Sequence, residues 1–378
     1  MNIYRLQIFI FTLIASFILL QFTVLMDFRG ITTYAALTIF GVSQVLHMCT
    51  TFLITWLHSR GISPILIIRV SLVIRILTAI IMLIVPNNYI FILMFFLYRI
   101  STTANILFEG LLVSKTQKEN ISFGRVRMFG SMGFASGGLI TAAIVSIFGS
   151  VHYLILLIVL LDILSFFINV KYPIREEVKS KKEQKNKISL SLSKEHLFFI
   201  FLCSLTVALA DAFNIILNYQ YINTFLLSEN YAIFWGGIAI LFSAFISEVP
   251  AMISTEGFIR KIGARKIMMI GFSLSVIRWI VALIAPNHII FTSTYLFHGI
   301  IFSFIFLGMI ANFKDVNKSG MGPKIVLIFT LIASSSLLIL TQIFSYILAA
   351  FGVFYILASF AIIHLLIAII FYIKFRRI

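Results

Sequence analysis

Residues 171–195 read KYPIREEVKSKKEQKNKISLSLSKE. This is the longest polar interval in the chain, and its neighbours are its opposite: HYLILLIVLLDILSFFINV at 152–170 on one side and HLFFIFLCSLTVALADAF at 196–213 on the other. Each flank is continuously apolar over about the 20 residues that a helix needs to cross a hydrocarbon core of about 30 Å. Working outward, six such runs precede the polar interval, near 6–26, 33–57, 64–85, 89–112, 123–148 and 152–171. Six follow it, near 196–225, 232–255, 265–285, 288–312, 325–349 and 352–373. None shows the ten-residue alternation of a membrane barrel strand. The expected fold is therefore an all-α membrane protein: twelve transmembrane helices in two six-helix bundles, residues 1–171 and 196–378, joined by a cytoplasmic linker at 172–195.

Composition agrees. Of 378 residues, 61% are hydrophobic and only 11% charged, with 40 Phe. A soluble globule keeps roughly a quarter of its residues charged to cover its surface, so this chain must present apolar surface to a lipid bilayer. That excludes soluble enzymes and nucleic-acid-binding modules despite a net charge of +16. The excess charge is a topology signal. With the N-terminus placed inside, 24 of the 29 Lys and Arg fall in segments on that side or at the adjoining span ends (Arg127 among them), one (Arg29) falls outside, and the other four, Arg69, Arg75, Arg99 and Arg278, lie within spans. By the positive-inside rule both termini are cytoplasmic, in the plasma membrane. The first run is too long for a cleavable signal peptide and lacks a small-residue cleavage pattern, so it reads as a retained span. The two cysteines, Cys49 and Cys203, lie in apolar runs and give neither a disulfide framework nor a metal site.

The halves look related. MLIVPNNYIF at 82–91 and ALIAPNHIIF at 282–291 are 200 residues apart, and both occupy the outside turn between the third and fourth spans of their half. Paired halves with a midplane cavity between them are an architecture of secondary transporters. There is no phosphate-binding Gly-x-x-x-x-Gly-Lys loop, no nucleophile–base–acid set and no metal cluster in the sequence. The chain is expected not to be an enzyme and to need no cofactor; its partners would be a small-molecule solute, a coupling proton and the lipid bilayer, with no nucleic acid and a monomeric state.

Charges inside spans are costly, about 2.5–3.5 kcal/mol each at the helix centre, so they usually face a cavity or a partner. The acids are Glu109, Asp162, Asp211 and Glu248; the bases are Arg75, Arg99, Arg127 and Arg278, with His298 as a candidate proton carrier. Glu109, late in the fourth span, and Arg127, one turn into the fifth, can meet across a hairpin as a carboxylate–guanidinium fork suited to hydroxyls. Glu248 lies two residues before Pro250, a place where a helix bends and frees a carbonyl. Asp211 lies in ADAFNIILNYQY, a segment with the polarity of a cavity wall. Asp162 has no evident partner in the sequence, and Arg75 and Arg99 read as structural charges. His47 and His364 read as core histidines.

The stretch FEGLLVSKTQKENISFGRVRMFGSMGF, Phe108–Phe134, resembles the fourth-to-fifth-span hairpin of the oligosaccharide:proton symporter branch, the lactose permease branch, of the major facilitator superfamily. The core of the likeness is FGRVRMFG with a glutamate upstream; KIGARK before the ninth span extends it weakly. The resemblance implies that Glu109 and Arg127 contact sugar and that Phe134 replaces a tryptophan that stacks on the sugar ring. It further implies that Arg278 and His298 serve coupling and binding and that Asp211 matches the first seventh-span aspartate. Departures are as informative. Ile301 stands where the family has a tenth-span carboxylate, Asn214 replaces a second seventh-span aspartate, and no span interior carries Lys. Phe245 takes the family's eighth-span glutamate position, with Glu248 one turn later, and the second-to-third-span loop is reduced to WLHSRGIS.

The resulting expectation is alternating-access transport of a small polar solute, most simply a sugar, with proton coupling. Glu109, Arg127, Phe134, Glu248 and His298 would bind the solute, while Glu248, Asp211, His298 and Arg278 would couple it to protons. Efflux of an amphipathic drug or metabolite is the alternative within the same fold; a non-transporting sensor or immunity protein is a third reading.

Overall fold

A computed structural model of the chain describes residues 2–19, 22–119, 121–148, 150–171, 194–216, 221–222, 224–225, 229–312 and 322–375. The expected linker at 172–195 lies almost wholly outside the described residues.

Among the described residues there are twelve helices long and apolar enough to cross a membrane: Asn2–Leu19, Ala35–His58, Pro64–Ile84, Asn88–Leu112, Phe123–Val145, His152–Val170, Glu195–Phe213, Tyr231–Ile262, Ala264–Leu283, His288–Asn312, Ile328–Leu348 and Val353–Lys374. They are numbered here as the first to twelfth spans. The all-α, twelve-helix membrane fold read from the sequence is the fold observed. With twelve candidate spans among the described residues, the start of the first and the end of the twelfth fall on one face, called here the terminal face.

Local chemistry explains several element boundaries. Asn87 accepts from Tyr89 N at 2.9 Å and Ile90 N at 3.2 Å and so caps the fourth span. Asn287 accepts from Ile290 N at 3.0 Å and caps the tenth. These are the paired asparagines of the repeated Pro-Asn turns, and each satisfies amide donors left open at a helix start. The loops before the third and ninth spans match in the same way. Gly61 (φ 99°) and Gly263 (φ 90°) both take left-handed backbone that a residue with a Cβ adopts only at a cost.

The eighth span is 32 residues, longer than a perpendicular crossing needs. Its middle, Leu241–Glu248, is wound as a π-helix immediately before Pro250. A proline removes one backbone donor, and the wider turn re-routes the carbonyls that would have met it. The fourth and tenth spans are also interrupted, at Thr103–Ala104 and at Thr294.

In the first six spans the first packs on the fifth and sixth, and the third on the fourth and sixth. In the last six the ninth packs on the tenth and twelfth, the seventh on the eleventh, and the eighth on the tenth. The two sets meet through the fifth against the eighth and the eleventh against the second and fourth. Small residues permit the closest approaches. A Cβ on Gly133 would lie 2.5 Å from Thr12 Oγ1, and one on Gly137 would lie 2.6 Å from Leu13 O. These glycines, four residues apart, form the small-x-x-x-small face by which membrane helices bring their backbones together.

Candidate functional site

The fifth span carries three candidate residues on one face. Arg127, Ser131 and Phe134 are spaced by four and three residues, so they stack along the helix. Arg127 Nε lies 4.0 Å from Glu109 Oε1, with the side chains 16% and 31% exposed. The hairpin pair expected from the sequence is therefore brought together, although as one long contact rather than a two-pronged fork. Phe134 is half-buried and packs against the main hydrophobic core.

Opposite this face, the π-helix of the eighth span presents Glu248, 8% exposed. Ser131 Oγ donates to Glu248 Oε1, and Arg127 lies within electrostatic reach of the same carboxylate. A hydroxyl and a guanidinium of the fifth span thus face an acid of the eighth. Ser303 Oγ donates to the Glu248 carbonyl at 3.4 Å. Gly299 lets the tenth span press against the π-turn: a Cβ there would lie 2.6 Å from Ser247 Oγ.

Beyond Glu248 the charges continue. Asp211 of the seventh span is half-buried and lies within electrostatic reach of both Glu248 and Arg278. Its carboxylate makes no hydrogen bond or ion pair among the described residues. Arg278 Nη1 meets His298 Nδ1 at 2.8 Å. A guanidinium can only donate, so Nδ1 accepts and the His298 proton sits on Nε2. Arg278 Cζ stands over the Trp279 ring at 4.4 Å and the Tyr295 ring at 4.9 Å. The polar residues therefore form a succession from Glu109 and Arg127, through Glu248 and Asp211, to Arg278 and His298, running from the first six spans into the last six.

A separate polar cluster lies inside the first six spans. Arg75 forms an ion pair with Asp162, both side chains being at most 1% exposed. Tyr98 donates to Asp162 Oδ2 at 2.8 Å and accepts from Arg75 Nη2 at 3.3 Å, and Asn105 Oδ1 accepts from Arg75 Nη1 at 3.3 Å. Asp162, which had no evident partner in the sequence, is held by Arg75. Arg99 differs: it is 7% exposed, stands beside His47, and contacts no carboxylate among the described residues. His47 Nδ1 in turn meets Thr103 Oγ1 at 3.0 Å, at the break in the fourth span.

The sequence did not disclose a contact at the terminal face. Glu256, at the end of the eighth span, accepts from Ser122 Oγ at 2.7 Å and Gly124 N at 3.3 Å. It thereby caps the start of the fifth span with a carboxylate where the helix dipole is positive. The Phe123 ring of the fifth span and the Phe306 ring of the tenth have centroids 6.5 Å apart. These contacts tie the two sets of spans together at that face. The only sequence signal was an acid at a span end, which normally reads as a solvated residue.

Residues 3–322 match the MFS_1 like family, and the chain belongs to that family. Over the whole length its fold is similar to the crystal structure of the nucleoside transporter NupG, with a TM-score of 0.74 at 12% identity, covering 99% of each chain. A point mutant of NupG gives a TM-score of 0.70 at 15% identity, covering 97% of this chain and 98% of that one. The uncharacterized transporter YwbF of Bacillus subtilis (strain 168) is 24% identical over 194 residues, which is 51% of this chain and 47% of that protein. The chain thus spans about half the length of the curated relative it matches.

Proposed function

We propose that this protein is a secondary active transporter that moves a small polar, hydroxyl-rich solute across the membrane by alternating access, coupled to protons. The observation that carries the reading is the meeting of Ser131 and Arg127 with Glu248 between the fifth and eighth spans. Ionisable groups within spans are costly and mark solute or proton pathways, and these lie where two six-helix halves, residues 1–171 and 196–378, would rock against each other. Family membership supports the transport class. A sugar fits the Glu109–Arg127 pair and the half-buried ring of Phe134; a nucleoside, the solute class named for NupG, carries a sugar and fits the same groups.

Glu109, Arg127, Phe134, Glu248 and His298 would hold the solute. Glu248 is the leading proton carrier, because its nearest hydrogen-bond donor is a neutral hydroxyl that tolerates either protonation state. Asp211 is the second, its charge sensed by both Glu248 and Arg278. His298 cannot take a proton on Nδ1 while Arg278 donates to it, so its role in coupling requires that bond to open. The Glu256 contact at the terminal face, cytoplasmic by the distribution of Lys and Arg, would close the inner mouth.

The test is uptake of labelled sugars and nucleosides into proteoliposomes with and without a proton gradient. Gradient-driven uptake lost in Glu248→Gln, with solute exchange retained, supports the reading. Uptake indifferent to both the gradient and Glu248→Gln contradicts coupling. Uptake confined to amphipathic cations would favour the drug-efflux alternative.

A further inference from the structure

The guanidiniums of the spans are met, with one exception. Arg69 donates to the Asn169 carbonyl at 3.1 Å, Arg75 pairs with Asp162, Arg127 lies against Glu109, and Arg278 meets His298 and stands over two rings. The Arg99 side chain makes no hydrogen bond, ion pair or ring contact among the described residues, yet it is only 7% exposed. Its Nε is sealed without a partner. Its two Nη atoms are unpartnered too but not sealed, so they are the part of the side chain that meets open space.

That space is not the lipid. Leu93 and Leu97, 53% and 37% exposed, mark the lipid face of the fourth span. At about 100° per residue, Arg99 lies roughly 120° round the helix from Leu93 and roughly 160° from Leu97. It stands instead beside His47 of the second span. One residue on from His47, Met48 Sδ accepts from Ser335 Oγ of the eleventh span at 3.3 Å. Arg99 is near the middle of Asn88–Leu112. It therefore sits at midplane, next to the place where the second span of one half meets the eleventh of the other. Arg127 and Glu248 hold the opposite side of that boundary, between the fifth and eighth spans.

No span acid is left for it. Asp162 is taken by Arg75, Glu109 by Arg127 and Glu248 by Ser131, while Asp211 lies within reach of Glu248 and Arg278. Among the described residues only Tyr98 acts on Arg99 electrostatically. A buried guanidinium with no counter-charge is costly, and inside a membrane protein such a charge marks a ligand path.

We propose that Arg99 is the anion-binding residue of the solute site, and that the solute is a hydroxyl-bearing monocarboxylate, a sugar acid in class. This rests on the transport reading and narrows it. A guanidinium presents a planar fork of donors that matches one carboxylate. No span interior carries a lysine that would help balance a phosphate dianion.

The experiment follows melting of full-length protein in detergent, at constant pH and ionic strength, with matched probes: glucuronate against glucose, galacturonate against galactose, gluconate against sorbitol, and glucose 6-phosphate. At least one acid is expected to raise the melting temperature saturably by a few degrees, as a ligand of the folded state does. Its neutral counterpart and the phosphate should need at least about tenfold more. Arg99→Gln should weaken the acid about tenfold to a hundredfold, the worth of hydrogen bonds to a charge, and leave the neutral probe unchanged. Without ligand it should melt no lower than the parent, because an uncompensated charge is gone. Arg99→Lys should keep the preference for acids. A ligand-free Arg99→Gln that melts several degrees low, or does not fold, would make Arg99 a structural charge and overturn the proposal. So would a parent that no acid stabilises, or acids that stabilise parent and Arg99→Gln alike. Uptake into proteoliposomes keeps the two readings apart. A parent that takes up glucose but binds no acid through Arg99 retains transport and loses this site; one that binds the acid through Arg99 but takes up no probe retains the site and loses transport.

Discussion

Replacing Asp162 by Asn keeps the shape of the side chain and removes its charge. Arg75, 1% exposed, would then face only Tyr98 and Asn105. Removing one partner of a buried pair leaves an uncompensated charge and costs about 3–5 kcal/mol. A cooperative unit of roughly 150–250 residues loses about 2–4 °C of melting temperature per kcal/mol, so Asp162→Asn should melt roughly 6–20 °C below the parent. The double variant Arg75→Gln/Asp162→Asn removes both charges and leaves neutral groups that can hydrogen-bond, so it should recover most of that loss. The assay is thermal unfolding of purified protein followed by tryptophan fluorescence, read as a double-mutant cycle. A single variant within about 2 °C of the parent, less than the shift expected from 1 kcal/mol, or a double variant no better than the single, would refute the reasoning: the pair would then be neither desolvated nor coupled.

Further outcomes follow from the same geometry. Glu109→Ala and Arg127→Ala should each abolish uptake while costing under about 1 kcal/mol of stability, because the pair is partly exposed and only 4.0 Å close; melting and uptake on the same preparation check both. Gly137→Leu should fail to fold or lose about 3 kcal/mol or more, because even a Cβ there would lie 2.6 Å from the Leu13 carbonyl; size-exclusion profiles report it. Glu256→Ala should loosen the terminal face, and a cysteine placed at Phe123 should then react several-fold faster with a water-soluble maleimide. Arg29→Ala removes donation to Met82 O (3.0 Å) and Val85 O (3.2 Å) and the Phe91 ring contact at 4.4 Å. It should cost about 1–3 kcal/mol by thermal melting.

The fold was legible because its causes are local. Apolar runs of membrane length give the helix count, and the paired Pro-Asn turns recur as paired helix caps at Asn87 and Asn287. The Glu109–Arg127 approach was legible because the two residues flank one short turn. The Arg75–Asp162 pair was not: 87 positions separate its members, and sequence alone does not show which face of the third helix meets the sixth. The Ser131–Glu248 and Ser122–Glu256 bonds were hidden for the same reason, compounded by the π-turn, which rotates Glu248 relative to an ordinary helix. His364, read as a core histidine, is 2% exposed, and its Nδ1 meets the Phe360 carbonyl at 2.8 Å.

Two polar clusters differ in place: Arg75 and Asp162 pair within the first six spans, whereas Arg127 and Glu248 approach each other between the fifth and eighth spans, where the proposed function puts the solute. Uptake per folded molecule separates these roles most directly, measured side by side for Arg127→Ala and for Arg75→Gln/Asp162→Asn. Uptake should vanish in the first and persist in the second. Persistence in Arg127→Ala, with loss in the folded double variant, would place the solute path elsewhere.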